Sequence, residues 1–230
     1  MRRLFSDAVV SKMGRHFVIW GSAGHAKVLS DVIELEQGRV VALFDNDPAA
    51  LSCLKDVPLY CGLAGLNDWL KAQVFPDNLC AAIAIGGARG RDRMVIARSL
   101  MDAALQLPVL IHPKAAVSGT AKMGLGSQVL ANAVVAADVV MGMVCIVNNN
   151  ANVDHECVLG NGVHIAPGAV LCGCVTVGDN TMVGANAVVL PRVCIGKNVV
   201  VGAGAVVTCD VPDDYVVVGN PARFFGAKND

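Results

Sequence analysis

From Val117 to Val207 an aliphatic side chain recurs at every sixth position, sixteen times in succession. The fifth position of each six, from Ala121 and Ser127 to Ala205 and Val211, holds only Ala, Ser, Cys, Val or Thr. No insertion breaks the register over these 96 residues. A period of six matches neither the two-residue repeat of a strand nor the 3.6-residue repeat of a helix, and instead marks a repeated strand-and-turn unit. Gly124, Gly142, Gly160, Gly178 and Gly196 add a longer period of eighteen, three hexads to a coil. Parallel strands lie about 4.8 Å apart, so sixteen hexads predict a triangular column of about five coils, roughly 25 Å tall. The expected fold here is a parallel β-helix. First positions fill its axis, and small fifth positions together with glycines are expected to form its corners.

The sixth position of each hexad precedes an inward residue and therefore points outward. Ten of these positions are nevertheless apolar: Val134, Val140, Ile146, Val158, Val170, Met182, Val188, Cys194, Val200 and Val206. A solvated wall does not need them, and contiguous exposed apolar surface marks an interface. The expectation is a homotrimer, the threefold ring that a triangular prism favours.

Residues 1–114 follow different periods. HFVIW (16–20) reads as a buried strand and AKVLSDVIELEQ (26–37) as a helix. VVALFDND (40–47) and LCAAIAIGG (79–87) read as strands, and RDRMVIARSLMDAAL (91–105) as a helix. Segment 48–78 is weaker, with a short strand at Leu59–Cys61 and a helix near Leu66–Gln73. Strands alternating with helices predict a small parallel, Rossmann-like α/β sheet. Pro108 and Pro113 bracket the join. The expected organisation is an N-terminal extension (1–15), an α/β nucleotide-binding domain (16–112) and a β-helix domain with a C-terminal tail (113–230).

Composition narrows the function. A hydrophobic fraction of 54% excludes a disordered chain, and a net charge of −1 removes the basic face that phosphate-driven nucleic-acid binding requires. The longest uncharged stretch, Cys157–Gly178, carries Asn161, His164, Pro167 and five glycines, so it does not read as a membrane span. Asp7 and Lys12 interrupt any apolar signal segment. The nine cysteines include no C-x-x-C pair and read as small buried hydrophobes in a reducing compartment. A cytoplasmic location is expected.

Two constellations carry chemistry. The first is the turn Gly21-Ser22-Ala23-Gly24-His25 between a strand and a helix, which offers N–H groups and a helix N-terminus to a phosphate. Asp45 closes the next strand, where an acid meets ribose hydroxyls, and Gly86-Gly87 close the third on the same edge. The full G-x-G-x-x-G is absent, so a nicotinamide site is weakly supported, and a plain tight turn remains open on these residues alone. The second is Asn148–Glu156. There His155, with Glu156 beside it, is a candidate general base near neutral pH. A solvated corner histidine, and an Asn ladder or corner cap at Asn148–Asn150, stay open. His164 follows His155 by nine residues, half a coil, so on one chain the two point from different sides. Across a subunit contact, the two residues of neighbouring chains can face each other. Only these two histidines lie in the repeat beyond His112, so no three-histidine metal site is expected.

The hexads, the GSAGHA turn, the IAIGG strand end, the IHPKA join, the run NVDHECVLGNGVHIAPGAVLCG and the closing VVGNPAR together resemble one family. This is the left-handed β-helix sugar acetyltransferases of the PglD/NeuD type. The resemblance implies the left hand of the coil. It also implies acetyl-CoA as co-substrate, no metal, and transfer to the amine of a nucleotide-linked amino sugar in surface-glycan biosynthesis. By the resemblance, His155 is the catalytic base and Glu156 raises its basicity. Asn148 and His164 lie near the acyl donor, and Ala185 and Ala203 line the pantetheine groove. Ala23, Gly24 and His25 form the phosphate turn of the nucleotide sugar, and Asp45, Asn46 and Gly86 contact its nucleoside. Gly173, one coil above His155, is a candidate oxyanion donor. Ala23 and the GARGR segment after Gly86 depart from the family pattern, which leaves base and sugar preference open. O-acetylation of a sialic-type sugar, a non-catalytic nucleotide-sugar-binding trimer and a zinc hydratase are the alternatives.

Overall fold

The computed structural model describes residues 14–72 and 79–227. Most of the expected extension 1–15, and Gln73 at the end of the expected second helix, lie outside the described residues. The N-terminal layer is β1 (His16–Trp20), α1 (Gly24–Leu35), β2 (Arg39–Asp45), β3 (Leu59–Cys61), α2 (Gly62–Ala72), β4 (Leu79–Ile83) and α3 (Gly90–Asp102). Its four strands pair in parallel in the order β3-β2-β1-β4. The strands are short apolar runs because both sheet faces are covered. Trp20, Phe44 and Trp69 pack on one side, and Phe17, Ile19, Leu29 and Ile33 on the other.

The chain joins the prism at β5 (Leu110–Ile111) and then makes sixteen two-residue strands, β6 (Ala116–Val117) to β21 (Val206–Val207). Each strand is the sixth residue of one hexad followed by the first of the next. Successive coils pair in parallel eighteen residues apart, as in Val140↔Val158 and Met141↔Leu159. Three flat sheets result. Face I runs from β5 through β8, β11, β14, β17 and β20 to β22 (Tyr215–Val218) and the antiparallel β23 (Arg223–Ala227); face II holds β6 to β21, and face III β7 to β19. First and fifth positions fill the axis, from Val129 and Ala133 to Val207 and Val211. A fully buried Val or Leu contributes about 1.5–3 kcal/mol, so this single column dominates the stability of the prism.

The corners differ from expectation. The left-handed residue is the fourth of each hexad: all fourteen from Gly126 to Gly204 have positive φ, from +49° at Val144 to +70° at Gly168. Asn, Asp or Gly occupies ten of the fourteen, the residues that tolerate this conformation most readily. Small fifth positions are small because they lie beneath the corner, in the core. Buried polar atoms there are paired: Ser127 Oγ donates to the Gly142 carbonyl and Thr181 Oγ1 to that of Gly196.

The N-terminal layer lies on face I. Outward residues of that face, Leu110, Gln128, Ile146 and His164, are buried under it. Ile146 is thus covered by its own chain, although the pattern of apolar sixth positions assigned it to a subunit contact. Gly90 at the start of α3 sits where a Cβ would come within 2.5 Å of the Gly162 carbonyl oxygen, so helix and corner touch backbone to backbone. The nine cysteines are all free, but only Cys80, Cys145 and Cys157 are buried, so the reading of all nine as core hydrophobes holds for a third of them. Among the described residues no helix is long and apolar enough to cross a membrane.

Candidate active site

The carboxyl edge of the α/β sheet gathers the first constellation. Ala23 precedes α1 and gives it no side-chain cap, so the first N–H groups of the helix are open to an anion. Ser22 is tied down: its N–H donates to Asp45 Oδ2 at 2.8 Å and its Oγ to the Leu51 carbonyl at 2.7 Å. Asp45 also accepts from the Asp47 N–H at 3.1 Å, so both carboxylate oxygens brace the turn and keep only their remaining lone pairs for a hydroxyl. Beside it opens a cleft of about 280 Å³, lined by Asp47, Pro48, Leu51, Ser52, Tyr60 and Cys61 among others. Asn46 lies near this edge, its Oδ1 3.8 Å from the Cβ position of Gly62.

The seam between α/β layer and prism holds three basic side chains. His25 Nε2 meets Gln128 Oε1 at 2.8 Å, and Gln128 Nε2 donates to the Ile83 carbonyl at 2.8 Å. Burial lowers the pKa of His25, so the ring is neutral. His164 (β14, His164–Ile165) places Nδ1 3.3 Å from the Gly87 carbonyl and Nε2 3.1 Å from Asn148 Nδ2. Burial first, and then the charge of Arg93, push its pKa down to about 4. Arg93 of α3 is itself buried and donates to the carbonyls of Val144, Ile85, Gly87 and Gly162. Val144 is a β-branched residue with φ +49°, a strained conformation that holds its carbonyl toward Arg93.

The opposite edge, between faces II and III, carries the second constellation. His155 and Glu156 follow β12 (Asn152–Val153) and precede β13 (Val158–Leu159). Both are exposed; His155 Nδ1 lies 3.3 Å from Glu156 Oε2. The His155 N–H donates to Asp154 Oδ1 at 2.7 Å, fixing the corner. The ring lies over Gly173, where a Cβ would come within 2.5 Å of Nε2. The Cys174 thiol donates to Glu156 Oε2 at 3.3 Å. That bond and the His155 contact hold the Glu156 carboxyl below its ordinary pKa, while the carboxylate raises that of Cys174.

The structure therefore brings His155, Glu156 and Gly173 together, and likewise Asn148 and His164, with Gly86 beside the latter: its Cβ position is 4.0 Å from His164 Cε1. His155 and His164 sit on different sides of one prism, as half a coil requires. Asn149 Oδ1 caps the Ala131 N–H at 3.1 Å and Asn148 Oδ1 the Asn149 N–H at 2.8 Å, so the amides cap a corner rather than fill the axis. Ala185 and Ala203 stack at the edge between faces I and II, where the Gly204 N–H takes the Ala185 carbonyl. Gln128, Arg93, Cys174 and the cleft at Asp47–Cys61 had no signal in the motifs. Only Cys174, a thiol at a fourth position that mostly holds Asn, Asp or Gly, stood out in principle.

Comparisons with known proteins agree with this geometry. The PglD N-terminal domain model matches residues 16–97, and the bacterial transferase hexapeptide model (six repeats) residues 174–209. A comparison with curated proteins finds no match. Among solved structures, the acetyltransferase domain of PglB from Neisseria gonorrhoeae, in complex with acetyl coenzyme A, is 34% identical with a TM-score of 0.81, covering 92% of this chain and 100% of that one. PerB from Caulobacter crescentus, in complex with CoA and GDP-perosamine, is 35% identical with a TM-score of 0.80, covering 94% and 99%. WeeI from Acinetobacter baumannii is 25% identical with a TM-score of 0.80, covering 91% and 99%. A small α/β layer seated on one face of a hexapeptide prism, shared at this identity along the whole of those chains, shows that the protein belongs to the PglD/NeuD-type left-handed β-helix sugar acetyltransferases, a family of acyltransferases.

Proposed function

We propose that the protein transfers acetyl from acetyl-CoA to the amine of a nucleotide-linked amino sugar, with His155 as general base. The observation that carries this reading is the His155–Glu156 pair. With Nδ1–H directed at the carboxylate, Nε2 is the free lone pair, on a solvent-facing edge. The ammonium of an amino sugar must shed a proton before its nitrogen attacks a thioester. Nε2 takes the proton, and Glu156 stabilises the imidazolium that forms. The tetrahedral oxyanion needs a donor, a role the Gly173 N–H beneath the ring is placed to serve. Collapse expels the CoA thiolate, so no acyl-enzyme forms and no cysteine acts as nucleophile.

At the other end of the substrate, the open N–H groups of Ala23, Gly24 and His25 suit a diphosphate, with Asp45, Asn46 and Gly86 toward the nucleoside. The Asp47–Cys61 cleft has the size and the aromatic Tyr60 to take a base. The α/β layer buries Leu110, Gln128, Ile146 and His164 on face I but leaves Met182 and Val200 of that face half-buried, and further outward apolar residues flank the His155 edge: Val134, Val170, Val188 and Val206 on face II, Val140 and Val158 on face III. In a homotrimer the His155 edge of one copy would meet the opposite edge of face II in the next, near its Asn148, His164, Ala185 and Ala203, where acetyl-CoA would lie.

The test is His155→Ala assayed with acetyl-CoA against UDP- and GDP-linked amino sugars, beside free and CMP-linked sialic acids. General-base loss is expected to lower kcat by about 10²–10⁴-fold with the assembly intact. An unchanged kcat overturns the assignment, and turnover of sialic acids alone overturns the acceptor class.

A further inference from the structure

We infer that the edge carrying His155 holds a zinc-binding site made by His155, Glu156 and Cys174, through which Zn²⁺ switches the base off. The inhibition rests on the function proposed above; the binding does not. One nitrogen, one carboxylate oxygen and one sulfur lie within 4.8 Å of one another. Two of the three spacings, His155 Nδ1 to Glu156 Oε2 and Cys174 Sγ to Glu156 Oε2, are each 3.3 Å. Ligands at the usual Zn–N, Zn–O and Zn–S distances in a tetrahedron stand about 3.3–3.6 Å apart. Two of the three spacings therefore match coordination geometry and the third needs at most a small side-chain rotation, while the exposed His155 and Glu156 leave the fourth position to water. A mixed N, O and S set suits zinc and other borderline metals and disfavours Mg²⁺ and Ca²⁺, which take oxygen.

The column itself sets this corner apart. Fourth positions stack along each edge, and most hold Asn, Asp or Gly. This edge stacks Glu156 and Cys174, φ +59° and +62°, one coil apart. Their side chains share one carboxylate oxygen instead of capping backbone.

The protons balance as follows. The thiol proton of Cys174 leaves to solvent, and the thiolate and the Glu156 carboxylate together neutralise Zn²⁺. Nδ1 of His155 coordinates through its lone pair, so the ring's one proton moves to Nε2. Nε2 then donates and can no longer accept the proton of the amine. Zinc inhibits by holding the wrong tautomer, not by filling the cleft.

The experiment uses the full chain. Zn²⁺ is titrated against a chromophoric zinc indicator while proton release is recorded in weak buffer. Co²⁺ replaces it for absorption spectra, and acetyl transfer is measured with and without EDTA. The expected result is one Zn²⁺ and one proton per chain, with a thiolate-to-Co²⁺ charge-transfer band. Each variant is compared with its own metal-free rate. Cys174→Ser is expected to weaken zinc at least about tenfold and to lose the band, and Glu156→Gln to weaken zinc with the band retained. Absence of one-to-one binding, or binding unchanged in Cys174→Ser, overturns the site. Binding with transfer unaffected overturns the switch. A chain that titrates zinc at Cys174 but acetylates no sugar supports the site and rejects the proposed function instead.

Discussion

The Ile83 carbonyl can only accept a hydrogen bond, and this fixes a chain of protons. Gln128 must turn its amide N–H₂ to Ile83 and its oxygen to His25, so Nε2 of His25 must carry the hydrogen. Neutral by burial, His25 then offers a bare Nδ1, an acceptor that a deprotonated phosphate oxygen cannot satisfy. In the proposed complex the ring would take a hydrogen bond from a hydroxyl or amine of the sugar, while the backbone N–H groups of the turn would serve the phosphates. Gln128→Met keeps the volume and removes both bonds. Leaving the Ile83 carbonyl and the imidazole N–H unpaired costs about 1–3 kcal/mol of stability. With the tautomer released, KM for the nucleotide sugar is expected to rise about tenfold with KM for acetyl-CoA unchanged; equal effects on both substrates would show a merely structural amide. Nothing in the motifs pointed to Gln128. It is one outward residue in a hexad, and only the layer folded over it gives it meaning. Arg93 was hidden in the same way, since RDRMVIAR reads as the charged face of a helix and says nothing about the four carbonyls that the guanidinium reaches.

At the scale of the element, the hexad encodes almost everything about the prism. First and fifth positions each face one column, so one residue class suffices and the period is visible in the sequence. The fourth position was missed because its constraint is conformational, met by Asn, Asp and Gly but also by Glu156, Cys174 and Arg192. In the α/β layer the strands and helices fall close to their expected places, whereas α2 begins at Gly62, four residues before the expected Leu66, because apolar spacing does not mark where a helix starts. The coil also explains why Gly173 matters. No positive φ is needed there, so Gly173→Ala is compatible with the backbone, but its methyl would come within 2.5 Å of the imidazole. The exposed ring can swing aside at little cost. Unfolding temperature is expected to stay within about 2 °C of the parent while kcat falls at least tenfold, a split that thermal denaturation and steady-state kinetics resolve together. Loss of both would mean that the glycine serves the fold rather than the base.

For the whole molecule, the seam on face I joins two cores that are otherwise apolar. It encloses His25, His164 and Arg93, and only the arginine is charged. Its four carbonyl partners take four of its five N–H hydrogens without neutralising it, and its field adds to burial in keeping both imidazoles unprotonated. This makes the join acid-sensitive, with a definite sign. In the unfolded chain His164 takes a proton near its ordinary pKa of 6.5, but in the folded chain only near 4. Its contribution to stability is therefore present in full above pH 6.5 and is lost as pH falls from there toward 4. Between pH 6.5 and 5 the loss from this group alone is about 2 kcal/mol. His25 acts in the same direction. Carboxylates also weaken folded proteins in acid, but mostly below this window. His164→Gln cannot take up the proton, so its stability should fall less steeply than that of the parent over the same interval, by urea denaturation at a series of pH values. If the two curves run parallel, His164 is not held neutral, and the seam is not the acid-labile join between the α/β layer and the prism.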